Sequence, residues 1–515
     1  MNFVEAIKKE SSKTLTENGA IGYSTTYNAL VDFNFRIPSY RRDKEAMQKD
    51  FLKVLLERDP YALKYLFYLR DCRKGLGERD AFRRCLVEAL RHVQLEPEVL
   101  EHVIFMIPVY GRFDDLLCLF NTEFEPIAMN IIVEQLALDC TLMEENKPVS
   151  LLAKWLPSDK ASSKTSRFYA HKIARAMHMS PRTYRTILLA LRKYLDVLEI
   201  KTCANRWDEI DYNKVSSKAN LRYKRAFMRH DSERREAYLE ALARGDNKVK
   251  IHSATNFPHD VVYQYTKCAP RYFYPSNFSD DLKYDEAIEQ LWKNLPDMPG
   301  LDNTLVIRDG SGSMLQLVGN TKVTALDVAD ALTIYCGARC KGSYENTFIT
   351  FSSRPKVVSL RGETSLRDKL VYMRTHYTEY SNTNLEATFD LILRAAKTEN
   401  MTQEDLPRQL LIISDMEFDA ALGYQDALLE GIAKKFAAAG YKLPKLIFWN
   451  VDNRTNTIPM TQNENGVILV SGFSVNIIKQ VLSGKTSPRD ALIDVLNADT
   501  YAEIPLLDAK NFTGL

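Results

Sequence analysis

From Asn303 onward, short apolar runs alternate with longer stretches whose apolar residues recur every three or four positions. TLVIRD (304–309) is followed by Ala325, Val328, Ala329, Leu332 and Cys336, which share one helical face. NTFITF (346–351) and KVVSL (356–360) read as strands, and SLRDKLVYM (365–373) and EATFDLILRAAK (386–397) as helices. RQLLIISD (408–415), KLIFWNV (445–451) and GVILV (466–470) are further strands. DALLEGIAKKFAAAGY (426–441) and SVNIIKQVL (474–482) are further helices. Continuous apolar strands separated by amphipathic helices demand a mostly parallel sheet covered on both faces. On such sheets ligands bind beyond the carboxyl ends of the strands.

The first strand of this series ends in Asp309-Gly310-Ser311-Gly312-Ser313. Alternation lets one carboxylate and two hydroxyls point to one side of a tight turn, and glycine tolerates the backbone angles such a turn needs. Donors that are all oxygen suit a hard cation such as Mg²⁺, or Mn²⁺ in its place. Asp415 ends RQLLIIS, and Thr383 lies in a loop just before the helix at 386–397. The five positions resemble the metal-ion-dependent adhesion site of von Willebrand factor A (vWA) domains, a Rossmann-like α/β fold. By that resemblance Ser311 and Ser313 bind the ion directly and Thr383 directly or through water. Asp309 and Asp415 act mostly through waters, which leaves charge for an acidic group of a partner. Local turn and cap chemistry is the bland alternative, since Asp and Ser favour both. A hydrolase nucleophile elbow is excluded, because G-x-S-x-G would need glycine at Asp309 and Ser313.

Roughly the first 295 of the 515 residues read as helical. Phe82, Cys85, Leu86, Ala89 and Leu90 share a face; so do Leu63, Leu66, Phe67 and Arg70, and Tyr184, Ile187, Leu188, Leu191 and Leu195. Many helices with short turns, without a fixed-period repeat, point to a degenerate helical-repeat, HEAT-like arrangement. The stretch NLPDMPGLDN (294–303) is the expected linker, giving an all-α domain over 1–297 and an α/β domain over 298–515. The N-terminal MNFVEAIKKESSKTL has no apolar core of a signal peptide, and no stretch approaches a bilayer span. The eight cysteines lack a disulfide-framework spacing; Cys336 and Cys340 read as core thiols. A cytoplasmic protein without membrane contact is expected. No Walker A sequence and no H-E-x-x-H occurs, Gly75 and Gly77 read as a tight turn, and no enzymatic activity is expected.

Between Lys154 and Lys250 there are 23 Lys and Arg against 11 Asp and Glu, interleaved with aromatics as in Arg167-Phe168-Tyr169 and Arg222-Tyr223-Lys224-Arg225. A basic surface attracts phosphates and aromatic faces stack on bases; solvated helix faces are the alternative. Several segments resemble a family related to the TROVE/Ro proteins, which pair α-helical repeats with a C-terminal vWA domain. They are Tyr65-Leu66-Phe67-Tyr68-Leu69-Arg70-Asp71 with Lys74-Gly75-Leu76-Gly77-Glu78-Arg79, and Tyr110-Gly111-Arg112-Phe113-Asp114-Asp115-Leu116. Leu151-Leu152-Ala153-Lys154-Trp155-Leu156-Pro157-Ser158 and Ala226-Phe227-Met228-Arg229-His230-Asp231 follow. Phe257-Pro258-His259-Asp260, Asn382-Thr383-Asn384-Leu385 and Ser414-Asp415-Met416-Glu417-Phe418 complete the set. Arg308 departs from the pattern, standing where an apolar residue is common. The resemblance implies a non-enzymatic RNA-binding or ribonucleoprotein scaffold that binds small structured RNA or single-stranded ends. Lys154, Arg167, Lys172, Arg175, Arg182 and Arg185 are the candidate phosphate contacts, chosen from composition. The alternative is a metal-dependent protein-interaction module that recognises an acidic partner residue without RNA.

Overall fold

The computed structural model describes residues 3–267, 282–352, 354–378, 384–420 and 427–512. They form two compact units. One comprises residues 1–57 and 251–498, the other 58–250 and 499–515. These are not the two consecutive stretches expected at 1–297 and 298–515: both ends of the chain cross over.

The first unit is built on a six-stranded sheet. After a hairpin of β1 (Lys13–Leu15) and β2 (Ile21–Tyr23) come β3 (Thr304–Arg308), β4 (Thr347–Thr350), β5 (Val357–Ser359), β6 (Gln409–Ser414), β7 (Lys445–Asn450) and β8 (Val467–Ser471). The sheet order is β5-β4-β3-β6-β7-β8. All neighbours are parallel except the edge pair β4 and β5. Each expected strand is present. β3 and β8 are buried along their whole length, as a sheet covered on both faces requires. Leu305, Ile307, Leu410, Ile412, Leu446, Phe448 and Leu469 point to one face, where Phe389, Ile392, Ile432 and Phe436 cover them. The alternate residues face the fully buried helix Ala325–Gly337.

Residues before 298 complete this unit. The backbones of Tyr23 and Ile458 exchange hydrogen bonds of 2.8 and 2.7 Å. Helix Ala29–Phe35 packs on β8, and the Asn450 side chain donates to the Phe35 carbonyl at 2.6 Å. Glu289 accepts the Leu366 and Arg367 amides at 2.9 and 3.1 Å and so caps the helix Leu366–His376.

The second unit is helical, with Ala62–Arg70, Arg79–His92, Glu125–Glu144, Lys164–Ala176, Pro181–Tyr194, Ser217–His230 and Ser232–Ala243 among its elements. The expected face Phe82, Cys85, Leu86, Ala89 and Leu90 is buried throughout; of the other, Tyr184, Leu188 and Leu191 are buried while Ile187 and Leu195 are half-buried. The C-terminal segment belongs here. Tyr501 stacks on Tyr110 with ring centroids 5.5 Å apart, and the Leu507 amide donates to the Pro60 carbonyl at 3.0 Å. Gly77 has φ 76°, and a Cβ on Gly75 would lie 2.0 Å from the Tyr68 carbonyl oxygen, so both glycines serve a tight turn. Within the 20-residue helix Glu125–Glu144 a window of 18 residues has mean hydropathy 1.3, enough by length and composition to cross a membrane, contrary to the expectation that no stretch would be. Its buried Asp139 accepts from the Ser150 amide and hydroxyl at 2.9 and 2.6 Å, which ties this helix into the unit.

Candidate functional site

The chain leaves β3 for β4 on one side and later returns to β6 on the other. Beyond the carboxyl ends of β3 and β6 the sheet therefore opens a crevice, the usual ligand position in such folds. Asp309 and Asp415 stand there, one residue past their strands, and both are fully buried. The Asp309 amide still donates to the Ile413 carbonyl at 3.0 Å, so the ladder itself fixes where the carboxylate begins.

Hydrogen bonds join three of the expected residues, and the fourth, Asp415, stands beside them. Asp309 Oδ1 accepts the Ser311 amide at 2.9 Å. The Ser311 and Ser313 hydroxyl oxygens are 3.0 Å apart, and the Ser313 hydroxyl is near enough to Asp415 to favour its ionised form. Two oxygens on adjacent corners of a Mg²⁺ octahedron, each about 2.1 Å from the ion, lie about 3 Å apart. The serine pair thus has the spacing of two neighbouring ligands, and the donors are of the hard type the ion requires. Asp309 Oδ2 accepts the Ser414 hydroxyl at 2.6 Å, so both Asp309 oxygens are held behind the serines. Thr383 lies outside the described residues. Among the described residues no cluster of three or more His, Cys, Asp or Glu is poised for a metal, so the donor set here depends on hydroxyls.

The electrostatics also distinguish this crevice. Burial, with the Asp415 charge nearby, pushes the Asp309 carboxyl up to about 7. Burial also raises Asp415, against the pull of Arg454 and of the nearby Ser313 hydroxyl. Two carboxylates removed from water and close together favour any cation that enters.

One cation is built in. Arg454 Nη1 donates to Asp415 Oδ2 at 2.9 Å, and its Nε donates to Glu17 at 2.8 Å. Glu417, also fully buried, accepts the Arg454 and Thr455 amides at 2.8 and 2.9 Å and the Glu17 amide at 2.7 Å. Burial raises Asp452 to about 6 even though Arg42 pairs with it at 2.7 Å. Sequence reasoning missed Ser414, Glu417, Asp452 and Arg454. The signal was available for the last two, which follow β7 at the same sheet edge. Arg308, the departure noted in sequence, lies fully buried and donates to Asp330 at 2.8 Å and to the Tyr377 carbonyl at 3.0 Å. Asp330 also accepts from Arg374 at 2.6 Å. A Cβ on Gly310 would sit 2.8 Å from Arg308 Nη1, so the first glycine of the turn makes room for this guanidinium.

Two segments match families described as domains of unknown function. Residues 303–503 match DUF7788, and residues 124–298 match DUF2828. The chain is also similar to Uncharacterized protein L728 of Acanthamoeba polyphaga mimivirus, 28% identical over 524 residues, which span 94% of this chain and 87% of that protein. The crevice with Asp309 and Asp415 lies in the DUF7788-matching segment.

The DUF2828-matching segment holds the six cations chosen from composition. They are spread over three helices, Leu152–Trp155, Lys164–Ala176 and Pro181–Tyr194. Lys172 is held by Glu125 at 2.6 Å and Asn121 at 2.9 Å, and Arg185 pairs with Asp159. Arg167 donates to the carbonyls of Ala161 and Ser162 at 2.7 and 3.0 Å. Arg175 and Arg182 are exposed. Lys154 lies 5.6 Å from the Trp155 ring centroid and lines a cavity with it. Asp114 and Asp115 pair with Arg70 and Arg83, and the Arg112 guanidinium lies over Trp155, 4.2 Å from its centroid. His259 is buried against Phe257 and Phe473, a packing role. Cys336 and Cys340 are buried thiols.

Proposed function

We propose that the α/β unit is a von Willebrand factor A type domain and that the protein is a non-enzymatic scaffold of TROVE/Ro type. In this reading the crevice takes Mg²⁺ or Mn²⁺ and the helical unit, a HEAT-like repeat, takes RNA. Ser311 and Ser313 would hold the ion, Thr383 would join them, and Asp309 and Asp415 would stand behind. When bound, the ion supplies an incompletely neutralised charge that an acidic group of a partner completes. The observation that carries the metal reading is the hydrogen-bonded run Asp309–Ser311–Ser313, with Asp415 beside it, at the switch point of the sheet. For RNA the support is the local excess of Lys and Arg and the exposure of Arg175 and Arg182.

Calorimetric titration of the full chain with MgCl₂ tests the first part: saturable binding is expected, lost in the double variant Ser311→Ala/Ser313→Ala. Equal heats from both proteins would remove it. Sequencing RNA that copurifies with the protein, with and without chelator, tests the second. RNA retention that falls steeply with salt is expected. Metal-dependent retention of proteins that survives nuclease would instead favour the reading in which the crevice recognises a partner's Asp or Glu without RNA.

A further inference from the structure

We propose that a cavity of about 470 Å³ in the helical unit is a binding site for one guanosine nucleotide, its phosphate held by Arg112, Lys154, Arg192 and Arg222. The volume lies within the range of small-molecule sites. These four of the five cations in its wall reach it from four parts of the chain: the residue before the turn Phe113–Leu119, and the helices Leu152–Trp155, Pro181–Tyr194 and Ser217–His230. Among the described residues none of the four makes an ion pair. Glu199 is the single acid in the cavity wall. Like charges that converge without counter-ions are costly unless an anion arrives.

The cations are also held in place. Arg112 is laid over the Trp155 ring, 4.2 Å from its centroid. Arg192 spends Nε and Nη2 on the carbonyls of Ala153 and Leu156, both at 2.8 Å, and Nη1 has no protein partner among the described residues. The first turn of the 14-residue helix Ser217–His230 forms part of the wall. Its N-cap Ser216 makes no side-chain cap bond, and the positive end of the helix dipole faces the same wall.

Two features choose the rest of the ligand. Trp155 and Tyr223 give the wall aromatic surface on which a planar base can lie. Glu199 Oε2 is shut off from solvent and accepts no hydrogen bond, a state that a polar ligand would relieve. A carboxylate only accepts, so the ligand must bring N–H donors. Guanine, with an imino and an amino group side by side, offers a pair of them. A free phosphate or an adenine nucleotide does not.

The test is titration of the full chain with GMP, AMP and inorganic phosphate, with chelator present so that metal plays no part. GMP is expected to bind more tightly than AMP, and AMP than phosphate. Arg192→Met and Trp155→Ala should each weaken GMP by about tenfold or more. Glu199→Gln should abolish the preference for GMP over AMP while leaving AMP unchanged. Cys203, exposed on the cavity wall, gives a second readout: GMP should slow its alkylation, mapped by mass spectrometry, and should not slow that of Cys72. No GMP binding by a protein with unchanged circular dichroism, phosphate binding as tight as GMP, or unprotected Cys203 would each overturn the assignment. GMP binding without any affinity for longer RNA would sink the RNA reading and leave this one standing; RNA binding with no effect of GMP would do the reverse.

Discussion

Ser311 and Ser313 carry no charge at working pH, so in the proposed metal reading the cation affinity of the crevice is set by the carboxylates behind them. Asp309 titrates near 7 when folded, against 3.8 for an ordinary aspartate. The folded state therefore holds this proton more tightly than the unfolded chain does. Stability from that proton is complete below about pH 4 and is lost as pH rises through about 7. A metal ion competes with the same proton. The melting temperature of metal-free protein should accordingly fall between pH 5 and pH 8, while the gain on adding Mg²⁺ should grow over that interval. Asp309→Asn should flatten both trends in a thermal-shift series. Arg454 acts in the opposite sense, as a resident cation on Asp415. Arg454→Met leaves a buried carboxylate unpaired, and should cost the metal-free protein about 3–5 kcal/mol in urea unfolding. The same variant should be rescued by Mg²⁺ more strongly than the parent protein, since a competing positive charge is gone.

At the scale of elements, the turn after β3 depends on what lies beneath it. Gly310→Ala would press a methyl group on Arg308 and displace it from Asp330 and the Tyr377 carbonyl. A loss of about 1–3 kcal/mol is expected from the overpacking alone, together with weaker Mg²⁺ binding because Asp309 shares the turn. Helix Ala325–Gly337 begins with a reciprocal cap, in which Asp327 receives the Thr324 amide at 3.0 Å and the Thr324 hydroxyl receives the Asp327 amide at 3.0 Å. Asp327 also accepts from Arg374 at 2.8 Å. Thr324→Ala should cost about 1 kcal/mol, measured by the same denaturation. Much of this was legible in sequence, because β3, β6, β7 and β8 are continuous apolar runs and Asp309, Ser311, Ser313 and Asp415 follow from their ends. Other parts were not. The three-residue strands β1 and β2 are too short to show an alternation. SVNIIKQVL, expected as one helix, is a 3₁₀ turn at Val475–Ile477 followed by a single α-turn at Ile478–Val481. Arg308 reads as a misfit until its partner Asp330, far along the chain, is in place.

For the whole molecule, the chain passes between the two units three times, after residues 57, 250 and 498. No local pattern can report that Tyr23 pairs with Ile458 or that Tyr501 stacks on Tyr110, because such contacts leave no periodicity on either side. A fragment starting at residue 298 should therefore be insoluble or unfolded, since it lacks Ala29–Phe35 over β8 and Glu289 at the cap of Leu366–His376. Adding back residues 1–57 with 251–297 should restore cooperative melting. Deleting 499–515 should leave the sheet intact by circular dichroism and lower the melting of the helices. The crossing has a further consequence during synthesis. The first 57 residues leave the ribosome long before β8, their packing partner, is made. At about 5–20 residues per second, Val31 and Phe35 wait about 20–90 s before the sheet surface that buries them exists. Newly made chains should thus be clients for a holding chaperone over residues 1–57, and a slowdown of translation should lower the yield of folded protein.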